Sequence, residues 1–361
     1  MNTYKVYVYA ICKNEEKFVE RWVSSMSEAD GIYVLDTGST DGTVERLKKL
    51  GVNVKIKEIN PWRFDSARNL SLSLLPDDTD ICVCTDLDDV FEVGWRKKAE
   101  KVWGENVGKI QYPYVWGTDS DGNEGILYIS KMHRRHGYTW RYPIHEALFW
   151  SDETPELNTV LAQNIRIFHK PDPQKSRGQY LPLLQAALES NPQDDRILHY
   201  LGREYMYYGK YGKAIDTLKQ HLTVSSWCEE RATSMRFIGN CYTLLNDFNS
   251  AKKWYLRSLA EAPHLREAYI DFAKLGYTVK DWDLVVWLCN TATEITGPSL
   301  SYINDPIAWG SLPYDLLSLG LYYTKRYADS LKAVNKAIEL SPKNPRLLEN
   351  KKLIEIKCVG S

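Results

Sequence analysis

Cys82-Val83-Cys84-Thr85-Asp86-Leu87-Asp88-Asp89 decides how this chain is read. Ile81 to Cys84 is an apolar run of the length of a short buried strand, and it stops at three acids within four residues. Carboxylates crowded at a strand end repel one another and resist burial, so a bound cation would relieve the cost. In an open α/β sheet, ligands bind at the carboxyl ends of the strands. The stretch therefore predicts a metal-assisted diphosphate site. Asp86 and Asp88, two apart in an extended segment, are expected on one side of it and within reach of one ion. Oxygen donors of this kind suit Mg²⁺ or Mn²⁺.

Strands and helices alternate around this segment. Tyr4 to Ala10 reads as a strand, and Asn14 to Met26 has helical spacing with Phe18, Trp22 and Met26 on one stripe. Gly31 to Leu35 is a second strand ending at Asp36, followed by the turn Gly38-Ser39-Thr40-Asp41-Gly42 and a helix from Thr43 to Leu50. Val52 to Ile59 is a third strand, Asp65 to Leu75 a helix, and Asp80 to Thr85 the acid-tipped strand. This order predicts a mainly parallel, Rossmann-like sheet covered by helices. From about Gly108 the pattern changes to paired strands, Lys109 to Trp116 and Gly125 to Met132, around a hairpin turn at 119–123. A last strand, Asn164 to Phe168, ends at His169.

The second half is helical and repetitive, with a period of about 34 residues, which marks tetratricopeptide repeats. One unit reads Leu201-Gly202, Tyr205, Tyr211, Ala214, Leu218, and the next Ile238-Gly239, Tyr242, Phe248, Ala251, Tyr255. Weaker units follow at Ala273, Gly276, Trp282, Ala292 and at Leu317, Tyr327, Val334, Ala337. Small residues let paired helices approach, and such pairs bury their faces only by stacking. An insert, about 297–313, is expected as a loop over one face. The boundaries expected are 1–175 for the α/β domain and 176–361 for the helical one.

Composition narrows the function. The 361 residues carry a net charge of −1, which provides no global field for nucleic acid or an anionic membrane. No run of about 18 apolar residues exists to span a bilayer. The start lacks a basic, cleavable leader, so the expected location is cytoplasmic. Seven cysteines without a CxxC pair read as free thiols in a reducing compartment. Cys82 and Cys84 are expected on opposite faces of their strand.

The strand ends define the candidate site. Ala10 to Glu15, Asp36 and Asp86 would line one crevice, with Asp36 accepting from a base or ribose. Arg68, on the helix before the acidic strand, offers planar donors to a diphosphate or pairs with a nearby acid.

Lys13-Asn14-Glu15, Val34-Leu35-Asp36-Thr37-Gly38-Ser39-Thr40-Asp41-Gly42-Thr43, Ser66-Ala67-Arg68-Asn69 and Asp86-Leu87-Asp88 occur in this order. Together they resemble the family 2 glycosyltransferases of the GT-A fold. Met132-His133-Arg134-Arg135, Ile144-His145-Glu146 and Ile167-Phe168-His169 resemble a branch of that family with C-terminal tetratricopeptide repeats, which includes the sublancin-type peptide S-glycosyltransferases. The resemblance implies a UDP-sugar donor, inversion at the anomeric carbon and a Mn²⁺ or Mg²⁺ cofactor. It places Ile11, Lys13, Asn14, Glu15, Asp36, Arg68, Asp86 and Leu87 on the nucleotide-sugar, and Asp88, Asp86 and His169 on the metal. Where many members carry two acids in the second turn, Thr37 stands here.

A base is needed to activate the acceptor. Glu146 is the candidate, with Asp89 and Asp119 in reserve; a salt bridge from Glu146 to Arg134, Arg135 or Arg141 is the alternative. The repeats suggest a protein or peptide acceptor, and also a surface for a homodimer. Two other acceptor and function classes stay open: transfer to a glycan or lipopolysaccharide, and a glycosyltransferase-like scaffold without catalysis. A nucleotidyltransferase is disfavoured, because Cys12-Lys13-Asn14-Glu15-Glu16 lacks the glycines that cradle a triphosphate.

Overall fold

The computed structural model describes residues 4–118, 124–174 and 178–359. The chain divides into two compact units, residues 1–117 with 126–179 and residues 118–125 with 180–361. The hairpin turn expected at 119–123, including Asp119, lies outside the described residues.

The first unit begins β1 (Val6–Cys12), α1 (Val19–Met26), β2 (Gly31–Asp36), α2 (Thr43–Lys49), β3 (Asn53–Ile56), α3 (Phe64–Leu72) and β4 (Ile81–Thr85). There follow β5 (Asp89–Phe91), α4 (Trp95–Val102), β6 (Val107–Thr118), β7 (Glu124–His133), β8 (Tyr138–Arg141), β9 (Ala147–Trp150), β10 (Asn158–Leu161) and β11 (Ile167–His169). The main sheet runs β3-β2-β1-β4-β7-β6-β11-β5, with β10 beside β6; β8 and β9 form a separate antiparallel pair. β1 is parallel to both β2 and β4. The chain thus runs outward from β1 to β3 and returns to β4 on the other side. That reversal leaves a crevice at the carboxyl ends of β1 and β4.

Alternation along β1 and β4 builds a core on each face. Val6, Val8, Ala10, Ile81 and Val83 pack with Trp22 and Met26 of α1, Leu47 of α2 and Trp95 of α4. Tyr9, Cys82 and Cys84 pack on the other face with Leu72 and Trp140. Cys82 and Cys84 therefore share one face, which corrects the expectation that they diverge: a two-residue period returns side chains to the same side. All seven cysteines are free thiols.

Helix α1 starts later than its periodicity suggests. Asn14 takes φ 56, and its N–H is held by Ser39 Oγ at 2.8 Å. The N–H of Glu15 is held by Thr43 Oγ1 at 2.8 Å. These bonds make 13–18 a turn tied to the loop after β2. Elements β5, β8, β9 and β10 are too short to carry a periodic signal and emerge only in the structure, as does α4, whose Trp95, Ala99 and Val102 do stand at helical spacing.

The second unit contains α5 (Tyr180–Ser190), α6 (Asp195–Tyr207), α7 (Tyr211–Val224), α8 (Cys228–Leu244), α9 (Phe248–Glu261), α10 (Arg266–Thr278) and α11 (Trp282–Glu294). After a 3₁₀ turn at Pro306–Ala308 come α12 (Leu312–Tyr323), α13 (Tyr327–Leu340) and α14 (Pro345–Val359). These helices form the tetratricopeptide-type hairpins that the small-residue spacing predicts. A Cβ added at Gly202 would lie 2.5 Å from Leu218 Cγ, and one at Gly239 2.8 Å from Tyr255 Cε1. The insert does lie over one face: Tyr302 stacks on Tyr200 of α6, and Trp309 Nε1 donates to Glu267 of α10. Among the described residues no helix is long and apolar enough to cross a membrane.

Candidate active site

The acidic stretch leaves β4 as a tight turn. The N–H of Asp89 donates to the Asp86 carbonyl at 3.0 Å, and the N–H of Asp86 donates back to Asp89 Oδ2 at 3.0 Å. The expectation of an extended 86–88 segment is thereby corrected. Within the turn Asp86 and Asp88 take different partners, because period-two alternation does not hold inside it.

Asp86 goes to a cationic pair. Arg68 of α3, only 2% exposed, donates through Nη1 to the Thr85 carbonyl at 3.2 Å and through Nη2 to Asp86 Oδ1. Lys131 of β7 donates to Asp86 Oδ2 at 3.0 Å. Burial alone would raise Asp86, but Arg68 and then Lys131 outweigh it and hold the carboxyl well below its usual range. Burial works against the Lys131 charge too, and Asp86 more than offsets it, so the ammonium persists.

Asp88 and Asp89 go to His169. One ligand atom from each of Asp88, Asp89 and His169 lies within 4.8 Å of the others. Strand register explains the meeting: β11 runs antiparallel to β5 with His169 opposite Asp89. His169 Nδ1 is 3.5 Å from Asp89 Oδ1 and 3.7 Å from Asp88 Oδ1, yet it is buried without a hydrogen bond. Tyr114 of β6 donates to Asp89 Oδ1 at 3.0 Å. Burial, then Asp86 and Asp89, push Asp88 up to about 6. Burial works to lower His169, but Asp89 and Asp88 outweigh it, so the ring is raised above its ordinary value. An orphaned ring nitrogen facing two carboxylates fits a divalent cation, and the mixed O/N set suits Mn²⁺. Asp86, expected on the metal, lies outside this group and is taken up by Arg68 and Lys131.

Other expected residues fall as follows. Glu146 sits in the connection between β8 and β9, where Tyr142 and His145 have φ 81 and 52. Its Oε1 accepts from Arg68 Nε at 3.0 Å. The expected partners Arg134, Arg135 and Arg141 do not reach it: Arg134 donates to carbonyls at 104–107, Arg135 to Leu75, Pro76 and Asp77, and Arg141 lies over Phe149. Asp89 is fully buried and accepts from Tyr114 and from the Asp86 amide, which makes it part of the cation group rather than an accessible base.

Asp36 is 1% exposed and turned inward. Its Oδ1 accepts from the N–H groups of Gly38 and Ser39, both at 3.0 Å, and its Oδ2 from Ser39 Oγ and from Cys12 Sγ at 3.3 Å. It shapes the loop after β2, so the expected reach to a base or ribose is not realised in this conformation. Ile11 packs with Leu35 and Ala67, and Leu87 lies in the core. Lys13 and Asn14 are exposed at the crevice rim, while Glu15 is buried.

Lys131 and Tyr114 were not foreseen. Lys131 adjoins Met132-His133, a stretch with a recognisable pattern, but its pairing with an acid 45 residues away depends on β7 lying beside β4.

Fold and site define a class: an α/β unit that presents a carboxylate–histidine group at its strand ends, followed by helical-hairpin repeats. Residues 7–142 match the family described as Glycosyl transferase family 2. No curated protein matches the chain. Similar solved structures include the crystal structure of MamA (17% identity, TM-score 0.38, covering 45% of this chain and 87% of that one). Another is YrrB, described as a TPR protein with an unusual peptide-binding site (18%, 0.38, 48% and 83%). A third is the C-terminal part of a TPR repeat-containing protein from Cytophaga hutchinsonii (14%, 0.41, 50% and 67%).

Proposed function

We propose that this chain is an inverting, divalent-cation-dependent glycosyltransferase that moves a sugar from UDP to a protein or peptide side chain. The observation that carries the reading is the Asp88–Asp89–His169 group, with its orphaned ring nitrogen, at the carboxyl edge of β4. The match of residues 7–142 to glycosyl transferase family 2 supports the reaction class.

A divalent cation bound there stabilises the negative charge that builds on the departing nucleoside diphosphate. The rest falls to side chains. Asp88 and Asp89 supply carboxylate oxygens and His169 a neutral nitrogen. Arg68 and Lys131 keep Asp86 ionised and fixed at the rim, where it accepts from the donor's ribose. Asn14 and Lys13 border the nucleotide. Glu146 takes the proton from the acceptor as the new bond to the anomeric carbon forms and the bond to the diphosphate oxygen breaks on the opposite face. Arg68 positions Glu146 through the 3.0 Å Nε contact. Repeats on the same chain raise the local concentration of a captured acceptor.

The test is a panel of UDP-sugars incubated with the purified full chain and Mn²⁺, with release of UDP as the readout. Asp88→Ala is expected to lose at least about 100-fold in turnover, and EDTA to abolish it. Full turnover in Asp88→Ala, or in EDTA, overturns the reading.

A further inference from the structure

A second group of close ligand-type side chains lies in the helical unit and has no part in the reaction proposed above. We infer that His199, His221 and Glu230 form a Zn²⁺ site that links α6, α7 and α8, with water in the fourth position. Their ligand atoms lie within 4.8 Å of one another, and all three side chains are buried.

The donor set is two imidazoles and a carboxylate, which zinc takes with Zn–N and Zn–O bonds of about 2.0–2.2 Å. Two such ligands at a tetrahedral angle stand about 3.3 Å apart. His221 Nε2 and Glu230 Oε1 are already 3.1 Å apart. His199 closes the rest by a side-chain movement of about an ångström or two, within reach of rotamer adjustment.

Two of the three ligands are held from outside the group. His199 Nδ1 is engaged by Ser234 Oγ at 2.7 Å, which leaves Nε2 as its ligand atom. Tyr302 of the insert donates to Glu230 Oε2 and orients the carboxylate. His221 Nδ1 is buried without a hydrogen bond, so no second bond locks the ring into the tautomer that protonates Nε2. Neutral imidazole and ionised carboxylate are the states a divalent cation needs, and any proton on the coordinating nitrogen leaves to solvent on binding.

The experiment uses the full chain carrying Asp88→Asn, so that the first cation group is disabled. Co²⁺ titration is expected to give the visible absorption of tetrahedral Co²⁺ with one equivalent, bleached by Zn²⁺. Elemental analysis of Zn²⁺-loaded, desalted protein should return one zinc per chain. His199→Gln and, separately, Glu230→Gln should each abolish the visible bands while retaining helical circular dichroism. Absence of the bands in the Asp88→Asn chain overturns the proposal, as do bands that persist unchanged in both variants. Should one variant fail to fold, the other and the metal stoichiometry still decide.

Discussion

At the residue scale, the acids after β4 divide between two jobs. Asp86 is neutralised by protein cations, whereas Asp88 and Asp89 face a ring nitrogen with no bond. This division predicts a pH dependence. Asp88, pushed up to about 6, and His169, raised from its ordinary value, must both be deprotonated to hold a cation. Protons therefore compete with the metal from the acid side. Mn²⁺ affinity measured by calorimetry should be steady well above pH 6 and fall about ten- to hundredfold per pH unit below it, for one or two displaced protons. Affinity flat from pH 5 to 8, on the order of three units around that midpoint, would contradict the assignment. Lys131→Met removes one of the two cations on Asp86. A lost bond to a buried charge costs about 1–3 kcal/mol, so donor kcat/KM should fall about 10- to 100-fold with the fold intact. An unchanged value would place Asp86 outside donor binding. The sequence made Asp88 and Arg68 visible because each stands in a short local pattern. It could not show that Asp86 and Asp88 take different partners, since that depends on a turn closed by Asp89. Nor could it show Asp36 turned inward: Gly38 and Ser39 are its near neighbours in sequence, but Cys12 meets it only when β1 and β2 pair.

At the element scale, the parallel strands and repeat helices were legible because each carries its own period. The short strands were not: β5 has three residues, and its placement opposite β11 depends on pairing across about 78 positions of chain. That pairing brings His169 to Asp89, so the carboxylate–histidine group is a product of topology more than of motif. In the repeats, the close helix approach at Gly239 makes a sharper prediction. Alanine in place of glycine raises helix propensity by up to about 1 kcal/mol. The added Cβ would meet the Tyr255 ring at 2.8 Å, and overpacking of a tight core costs about 1–3 kcal/mol. The clash involves a buried ring rather than a flexible chain end, so it wins. Gly239→Ala should lower the thermal midpoint by several degrees, read by circular dichroism at 222 nm, the ordinary helix wavelength, on the order of one melt per variant. A raised midpoint would mean that α8 and α9 are less closely packed than the geometry requires.

At the scale of the whole molecule, two units with separate cores suggest separate tasks. The α/β unit has the Asp88–Asp89–His169 group, the crevice and the acid–base candidate. The helical unit has stacked hairpins and an insert laid across α6, α8 and α10. If the first binds donor and the second captures acceptor, each ligand should leave its own footprint in amide hydrogen exchange, because a ligand stabilises the structure that binds it. UDP with Mn²⁺ is expected to slow exchange at 11–15, 84–89 and 167–169, and to leave 195–340 unchanged. A polypeptide found to be glycosylated by the chain should slow exchange within 195–340, with or without donor. Protection by that polypeptide confined to the α/β unit would remove the repeats from acceptor capture. The donor footprint would be unaffected by that outcome, so the two halves of the functional reading stand or fall independently.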